Sequence, residues 1–227
     1  MKKVIFLVLI TLLTKYGYSQ NQQKLDSLKA ELKKFEAEKS NYPNKKDTLK
    51  ALLMDRIGEV YFKMNKYSEA LENYESALKI QKELKNNNGI AVSNTDLGLL
   101  NSKMGLFKEA LKFEMEALNA REDLGNSLDI GLANEVIANE YENLHDKLNA
   151  LIYHQSALKK FLLAGDKKCI ARAYHNVGRQ YYYSANNKRA LENEHKSLTI
   201  AEEIGDTILE KKVNISIQEI DKAKKVY

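Results

Sequence analysis

The sequence predicts an all-α protein built as a solenoid of stacked helix-turn-helix units, and three series of residues carry that prediction. Gly58, Gly98, Ala138 and Gly178 fall forty residues apart. Ala70, Ala110, Ala150 and Ala190 keep the same step, each followed by leucine at Leu71, Leu111, Leu151 and Leu191. A third series, Ala77, Ala117, Ala157 and Ser197, is again trailed by leucine at Leu78, Leu118, Leu158 and Leu198. Self-similarity at a fixed period of roughly 20–50 residues marks a repeat architecture, because one such unit cannot bury its apolar face alone and stacks on copies of itself. The units run 51–90, 91–130, 131–170 and 171–210.

Each unit reads as two helices. In the first, Met54, Ile57, Tyr61 and Met64 recur at steps of three and four, which places apolar side chains on one helical face. Asn65-Lys66 interrupts, and Tyr67, Ala70, Leu71, Tyr74, Ala77, Leu78 and Leu84 resume the period. Glycine inside a helix costs about 1 kcal/mol against alanine, so its recurrence at Gly58, Gly98 and Gly178 implies a close helix crossing. Ala70 and Ala77, two turns apart, give the second helix its narrow face. Between units, Gly125-Asn126, Gly165-Asp166 and Gly205-Asp206 repeat a turn chemistry: glycine suits the left-handed residue that ends a helix, and Asn or Asp caps the next. The first unit carries Asn86-Asn87-Asn88-Gly89 there, a looser version.

The set Ile57-Gly58, Tyr61, Ala70-Leu71, Tyr74 and Ala77-Leu78 resembles the tetratricopeptide repeat, in the longer variant with an extended second helix. The resemblance covers 51–210 and implies a right-handed α-solenoid. The sequence departs from the family pattern in two ways. No proline closes the unit, and the aromatic at Tyr74 is replaced by Glu114, His154 and Glu194. Phe113 and Tyr153 are expected to take over that packing role one residue earlier, which Asn193 cannot, so irregular packing is expected in the third and fourth repeats.

The chain opens with Lys2-Lys3, an apolar run from Val4 to Leu13, and small residues at Gly17 and Ser19, the pattern of a secretory signal peptide over 1–19. The apolar run is well short of the roughly 20 residues that span a bilayer, so cleavage is expected, with an uncleaved anchor as the alternative. The expected location is exported, periplasmic or extracellular. Losing Lys2, Lys3 and Lys15, and no acidic residue, lowers the formal net charge from +5 to +2. A charge that balanced lacks the basic footprint of nucleic-acid binding. Residues 20–50 then read as a capping helix, with Leu25, Leu28, Leu32 and Phe35 stepping by three and four, and a linker from Ser40 to Asp47 around Pro43, the only proline. At the other end Leu209, Val213, Ile217 and Ile220 form one more stripe, so 211–227 reads as a C-terminal capping helix with a polar outer side. No transmembrane segment is expected after signal cleavage.

Catalytic chemistry finds no support in the motifs. The sequence holds no GxxxxGK[ST], GxGxxG, HExxH or GxSxG pattern, so no catalytic residue, metal site or cofactor is expected. His145, His154, His175 and His195 lack the i, i+3 or i, i+4 spacing that sets two ligands on one helical face, and read as exposed or packing residues. Cys169 is the only cysteine and is placed in an inter-repeat turn, aligned with Gly89 and Asp129, where it could bridge only to another chain.

The resemblance implies a concave surface lined by the first helix of each unit, which takes an extended peptide or a partner helix. The positions carried over for the first two units include Asp55, Glu59, Thr95 and Leu99, which stand where one subset of the family clamps a carboxylate with lysine and asparagine. That clamp is absent in this form. In the fourth unit Arg172, His175, Arg179, Tyr182 and Tyr183 fall at i, i+3, i+7, i+10 and i+11, one basic and aromatic stripe. Arginine and tyrosine are enriched at binding hot spots because they join large contact area to directional polar groups. With Glu135, Asn139 and Glu142 on the neighbouring first helix, these form the expected partner site, taking an acidic or C-terminal segment. The competing arrangement is that Arg172 and Arg179 pair with Glu135 and Glu142 and neutralise the groove. Tyr181, aligned with Tyr61 and Tyr141, is expected in the core. The reading is a non-enzymatic, exported interaction scaffold for a protein or peptide; the second reading is an extracytoplasmic ligand sensor.

Overall fold

The computed structural model describes residues 2–37 and 43–224, with side chains over 17–37 and 47–223. Ten α-helices account for the described chain: α1 Lys2–Ala37, α2 Pro43–Lys63, α3 Tyr67–Glu83, α4 Asn87–Lys103, α5 Phe107–Leu124, α6 Ser127–Asn143, α7 Lys147–Ala164, α8 Lys167–Tyr183, α9 Asn187–Ile204 and α10 Thr207–Lys224. The fold is all-α, made of helix-turn-helix repeats, as expected. From α4 onward, first helices begin at 87, 127, 167 and 207 and second helices at 107, 147 and 187, in steps of forty. The units therefore start four residues before the sequence boundaries, and α10 is the first helix of a fifth unit rather than a separate cap.

The reason for this regularity lies in the turns. Gly125, Gly165 and Gly205 end their helices in the left-handed conformation, with φ of 74°, 71° and 69°. The next residue then caps the following helix: Asn126 accepts from the amides of Leu128 and Asp129, Asp166 from Cys169 and Asp206 from Leu209. In the first unit Lys85 takes the left-handed role at φ 54°, and Asn86 caps α4 by accepting from Gly89. Gly89 is thus a helical residue, and a Cβ there would stand 2.1 Å from the end of the Gln81 side chain, which would have to shift. Cys169 likewise lies in the first turn of α8, half-buried, and burial raises its thiol pKa.

Helix contacts divide the chain into two units, Met1–Met104 and Gly105–Tyr227, and the boundary falls inside the predicted repeat 91–130. In the first unit α1 lays Leu25 and Leu28 against α2, α2 packs on α3, and α3 on α4. The capping helix expected within 20–50 is thereby part of one continuous helix that begins at Lys2. Residues 38–42 of the expected linker lie outside the described residues, and from Pro43 the chain is already helical. Proline suits a first helical position because its missing N–H would have no partner there anyway. In the second unit α5 packs on α6, α6 on α7, α7 on α8, α8 on α9 and α9 on α10. Residues 225–227 of the expected C-terminal segment lie outside the described residues.

The small residues do what their recurrence implied. A Cβ on Gly58 would meet the Tyr74 ring at 2.7 Å, and one on Gly178 would meet Glu194 at 3.1 Å. At the position of Tyr74 the later repeats are filled by polar side chains. Glu114, His154 and Glu194 occupy the place of Tyr74 and are as buried as it is. Tyr153 stacks on Tyr141 instead, at 5.4 Å between ring centres. The cores of successive units differ in how they fill space: Phe161 lies over Gly131 and packs with Ala157, Ile170 and Ala173, whereas Ala201 packs with Ala171, Leu209 and Val213.

Candidate partner-binding site

In α8 the apolar and small residues Ile170, Ala171, Ala173, Val177 and Gly178 are buried. This leaves Lys168, Arg172, Arg179, Tyr182 and Tyr183 on the remaining face. Helix α10 buries Leu209, Val213 and Ile220 and turns Ile208, Lys212, Ile215 and Glu219 the same way. Between the two helices lies an open pocket of about 540 Å³. Its lining carries four cationic side chains, Lys168, Arg172, Arg179 and Lys212, against two carboxylates, Asp206 and Glu219. Ile208 and Ile215 are 70% and 57% exposed, so apolar surface stands beside that positive charge.

The cations differ in how they are held. Arg172 donates from Nε and Nη2 to the two carboxylate oxygens of Glu135 at 2.8 and 2.7 Å, a bidentate pair that also raises the guanidinium pKa. Asn176 donates to the same carboxylate at 3.0 Å. Arg179 does not reach Glu142. Its guanidinium donates to the Tyr183 hydroxyl and lies 5.4 Å from that ring's centre. Half of the neutralising arrangement therefore exists, at Arg172, and half does not. Lys168 and Lys212 form no salt bridge among the described residues.

Beneath the pocket His175 and Glu194 meet at 2.8 Å, and Ser216 donates to the other Glu194 oxygen at 2.6 Å. Glu194 is fully buried, and the three residues tie α8, α9 and α10 together. These are hydrolase residue types, but serine and histidine each bond the carboxylate rather than one another, so the serine–histidine pair of nucleophilic catalysis is not formed among them. The third repeat reverses the pair: His154 on α7 meets Glu142 on α6 at 2.8 Å, and Gln180 of α8 donates to the same oxygen. Burial raises the Glu142 pKa, but the bonds from His154 and Gln180 and the charges of His154 and Arg179 outweigh it and hold it below the usual range.

The expected site residues thus separate. Arg172, His175, Arg179, Tyr182 and Tyr183 border one pocket, with His175 turned inward so that only its edge is reachable. Glu135 and Glu142 do not border it, being engaged by Arg172, Asn176, His154 and Gln180, and Asn139 is exposed on α6 away from it. Tyr181 is half-buried, its hydroxyl accepting from Gln155 at 2.8 Å. Sequence reasoning missed the second wall. Its signal was the forty-residue step that sets Ile208, Lys212, Ile215 and Glu219 one unit after Lys168, Arg172, His175 and Arg179.

In the first unit the first helices carry carboxylates that burial perturbs. Asp55 is buried, receives the Ser93 hydroxyl at 3.1 Å, and has its pKa pushed up to about 7 by burial, with Asp96 adding to the rise. Asp96 itself is raised to about 6 by burial and by Glu59. Asp55 is therefore a core residue, not an exposed groove position.

Residues 47–123 match the family model of the tetratricopeptide repeat. No curated protein sequence matches the chain. Many solved structures share its fold at low identity, three of them as follows. A STAND-class signal transduction ATPase with a tetratricopeptide repeat sensor, from Pyrococcus horikoshii, aligns at 16% identity and TM-score 0.69 over 75% of this chain and 27% of its own. Aspartyl phosphate phosphatase F from Bacillus subtilis aligns at 16% and 0.72, over 88% of this chain and 54% of that one. A Rap protein complexed with Competence and Sporulation Factor aligns at 15% and 0.64, over 92% and 60%. The chain spans about a quarter to three-fifths of these proteins, and at such identity the likeness speaks for fold alone. The fold is a tetratricopeptide-type helical repeat, and the family's own sequence pattern is recognised across about a third of the chain.

Proposed function

We propose that the protein is a non-enzymatic interaction scaffold that binds a peptide or protein segment on the first-helix face of its second unit. The observation that supports this most is the pocket between α8 and α10, where arginines, lysines and tyrosines gather around apolar surface with an excess of positive charge. A Rap protein of similar fold is known in complex with Competence and Sporulation Factor, which is consistent with a ligand held on such a repeat array. The test is capture of partners by the full chain and by an Arg179→Glu, Tyr182→Ala double variant, with helicity checked by circular dichroism. Loss of a reproducible partner supports the reading; an unchanged set of partners on a folded variant refutes it.

We also propose that the protein is exported, on the strength of Lys2-Lys3 and the apolar run after it. The N-terminal residue of the protein from its native cell tests this: Gln20 supports cleavage, and Met1 on a protein confined to the cytosol refutes export. The repeat sensor of the Pyrococcus horikoshii protein favours a second reading, ligand sensing. A rise in melting temperature with a small molecule, and no protein partner, would favour that reading.

A further inference from the structure

Contacts between neighbouring first helices of the second unit join residues nearly one period apart: Arg172 to Glu135, Asn176 to Glu135 and Gln180 to Glu142, at separations of 37, 41 and 38. Residues one period apart therefore stand side by side, which orders the pocket into levels. The forty-residue step sets Lys168 level with Ile208, Arg172 with Lys212, His175 with Ile215 and Arg179 with Glu219, and all eight line the pocket. The last level carries one charge of each sign. At the second level the cross-helix rule fails. Arg172 finds Glu135 on the preceding first helix, but the residue one period after Glu135 is His175, which is turned away onto Glu194. Lys212 is thus a cation in the place of Arg172 without the carboxylate that Arg172 has. On α10 it is bracketed by two exposed isoleucines, one turn before and one turn after.

We infer that this pocket recognises an internal acidic residue of an extended peptide, flanked on both sides by aliphatic residues, with the carboxylate at Lys212 and the flanking side chains on Ile208 and Ile215. The inference rests on the peptide-binding reading above and specifies its ligand. The distances suit an extended chain: Ile208, Lys212 and Ile215 are separated by about 6 and 4.5 Å of helix rise, and the residues two before and two after the acidic one share its face at steps of about 6.6 Å. An acidic side chain is favoured over a chain terminus because apolar surface lies on both sides of the lysine. A terminal carboxylate brings chain from one side only and would leave one isoleucine in water. Arg172, committed to Glu135, adds field rather than a direct bond.

The experiment is selection by the full chain from nonapeptides randomised at the five central positions, displayed once with both ends blocked and once with a free C-terminal carboxylate. The wild type is expected to enrich Asp or Glu between Leu, Ile or Val from the blocked set. Lys212→Glu should weaken that consensus at least about tenfold and shift the central preference to Lys or Arg. Ile208→Ser and Ile215→Ser should each relax the flanking preference about fivefold or more. These positions are exposed, and circular dichroism establishes that the variants fold. An unchanged consensus from Lys212→Glu overturns the inference, as does enrichment confined to the free-carboxylate set. If Arg179→Glu with Tyr182→Ala abolishes selection while Lys212→Glu does not, the scaffold reading stands and this ligand assignment falls. If the wild type selects nothing, this assignment is wrong, and the partner capture described above decides the scaffold reading separately.

Discussion

Replacing Asp55 by asparagine should make the protein more stable at neutral and mildly alkaline pH. Asp55 is 7% exposed, and burial lifts its pKa from 3.8 to about 7, with the charge of Asp96 adding to the rise. A carboxyl whose pKa is raised by folding contributes stability that is fully present below its unfolded value and is lost as pH rises through the folded value. The relevant window is therefore pH 4 to 8, and stability falls across it. Each pH unit of that displacement corresponds to about 1.4 kcal/mol, so the ceiling for Asp55 is about 4 kcal/mol. Ser93 remains able to donate to the amide oxygen of asparagine, and water reaches part of the site, so we expect about 2 kcal/mol. The assay is urea unfolding of wild type and Asp55→Asn at pH 4, 5, 6, 7 and 8. With a slope of about 2 kcal/mol per molar, the midpoints should coincide near pH 4 and separate by about 1 M at pH 8. A difference between the two proteins that stays flat across the window, or a variant weaker than wild type at pH 8, would refute the argument.

Three further outcomes follow from packing and turns. Ala185 holds a left-handed φ of 57° on the surface, so Ala185→Gly should stabilise by about 0.5–1 kcal/mol in thermal unfolding, the steric relief exceeding the added chain entropy. Gly131→Val should cost about 1–3 kcal/mol, because a Cβ would stand 2.5 Å from the fully buried Phe161 ring. The added variant Phe161→Leu should recover part of that loss, and additivity in the double-variant cycle would show that the two sites do not share the space. Ser216→Ala removes a donor from the buried Glu194 and should destabilise by about 1.5–3 kcal/mol, with α10 losing amide-exchange protection before α8 and α9.

Taken by itself, the sequence determined the fold class and the place of almost every helix, through the forty-residue step, the helical periodicity and the Gly-Asn and Gly-Asp turns. Each is a local property: a small residue at a crossing, an apolar stripe, a left-handed turn followed by a cap. The basic and aromatic stripe of α8 was equally legible, since residues at i, i+3, i+7, i+10 and i+11 share a face on any helix. What the tertiary structure alone decided was which of those side chains find partners. Glu114, His154 and Glu194 looked like defects at an aromatic position, yet burial beside carboxylate, imidazole and hydroxyl partners makes two of them the fastenings between successive helices. Asp55 and His175 looked exposed and are buried, while Lys212 and Ile215, read as part of a cap, complete a pocket. Periodicity states where a residue points along its own helix. Whether a charge is met, and whether apolar surface stays open, depends on the residue one period away on another helix, and only packing brings the two together.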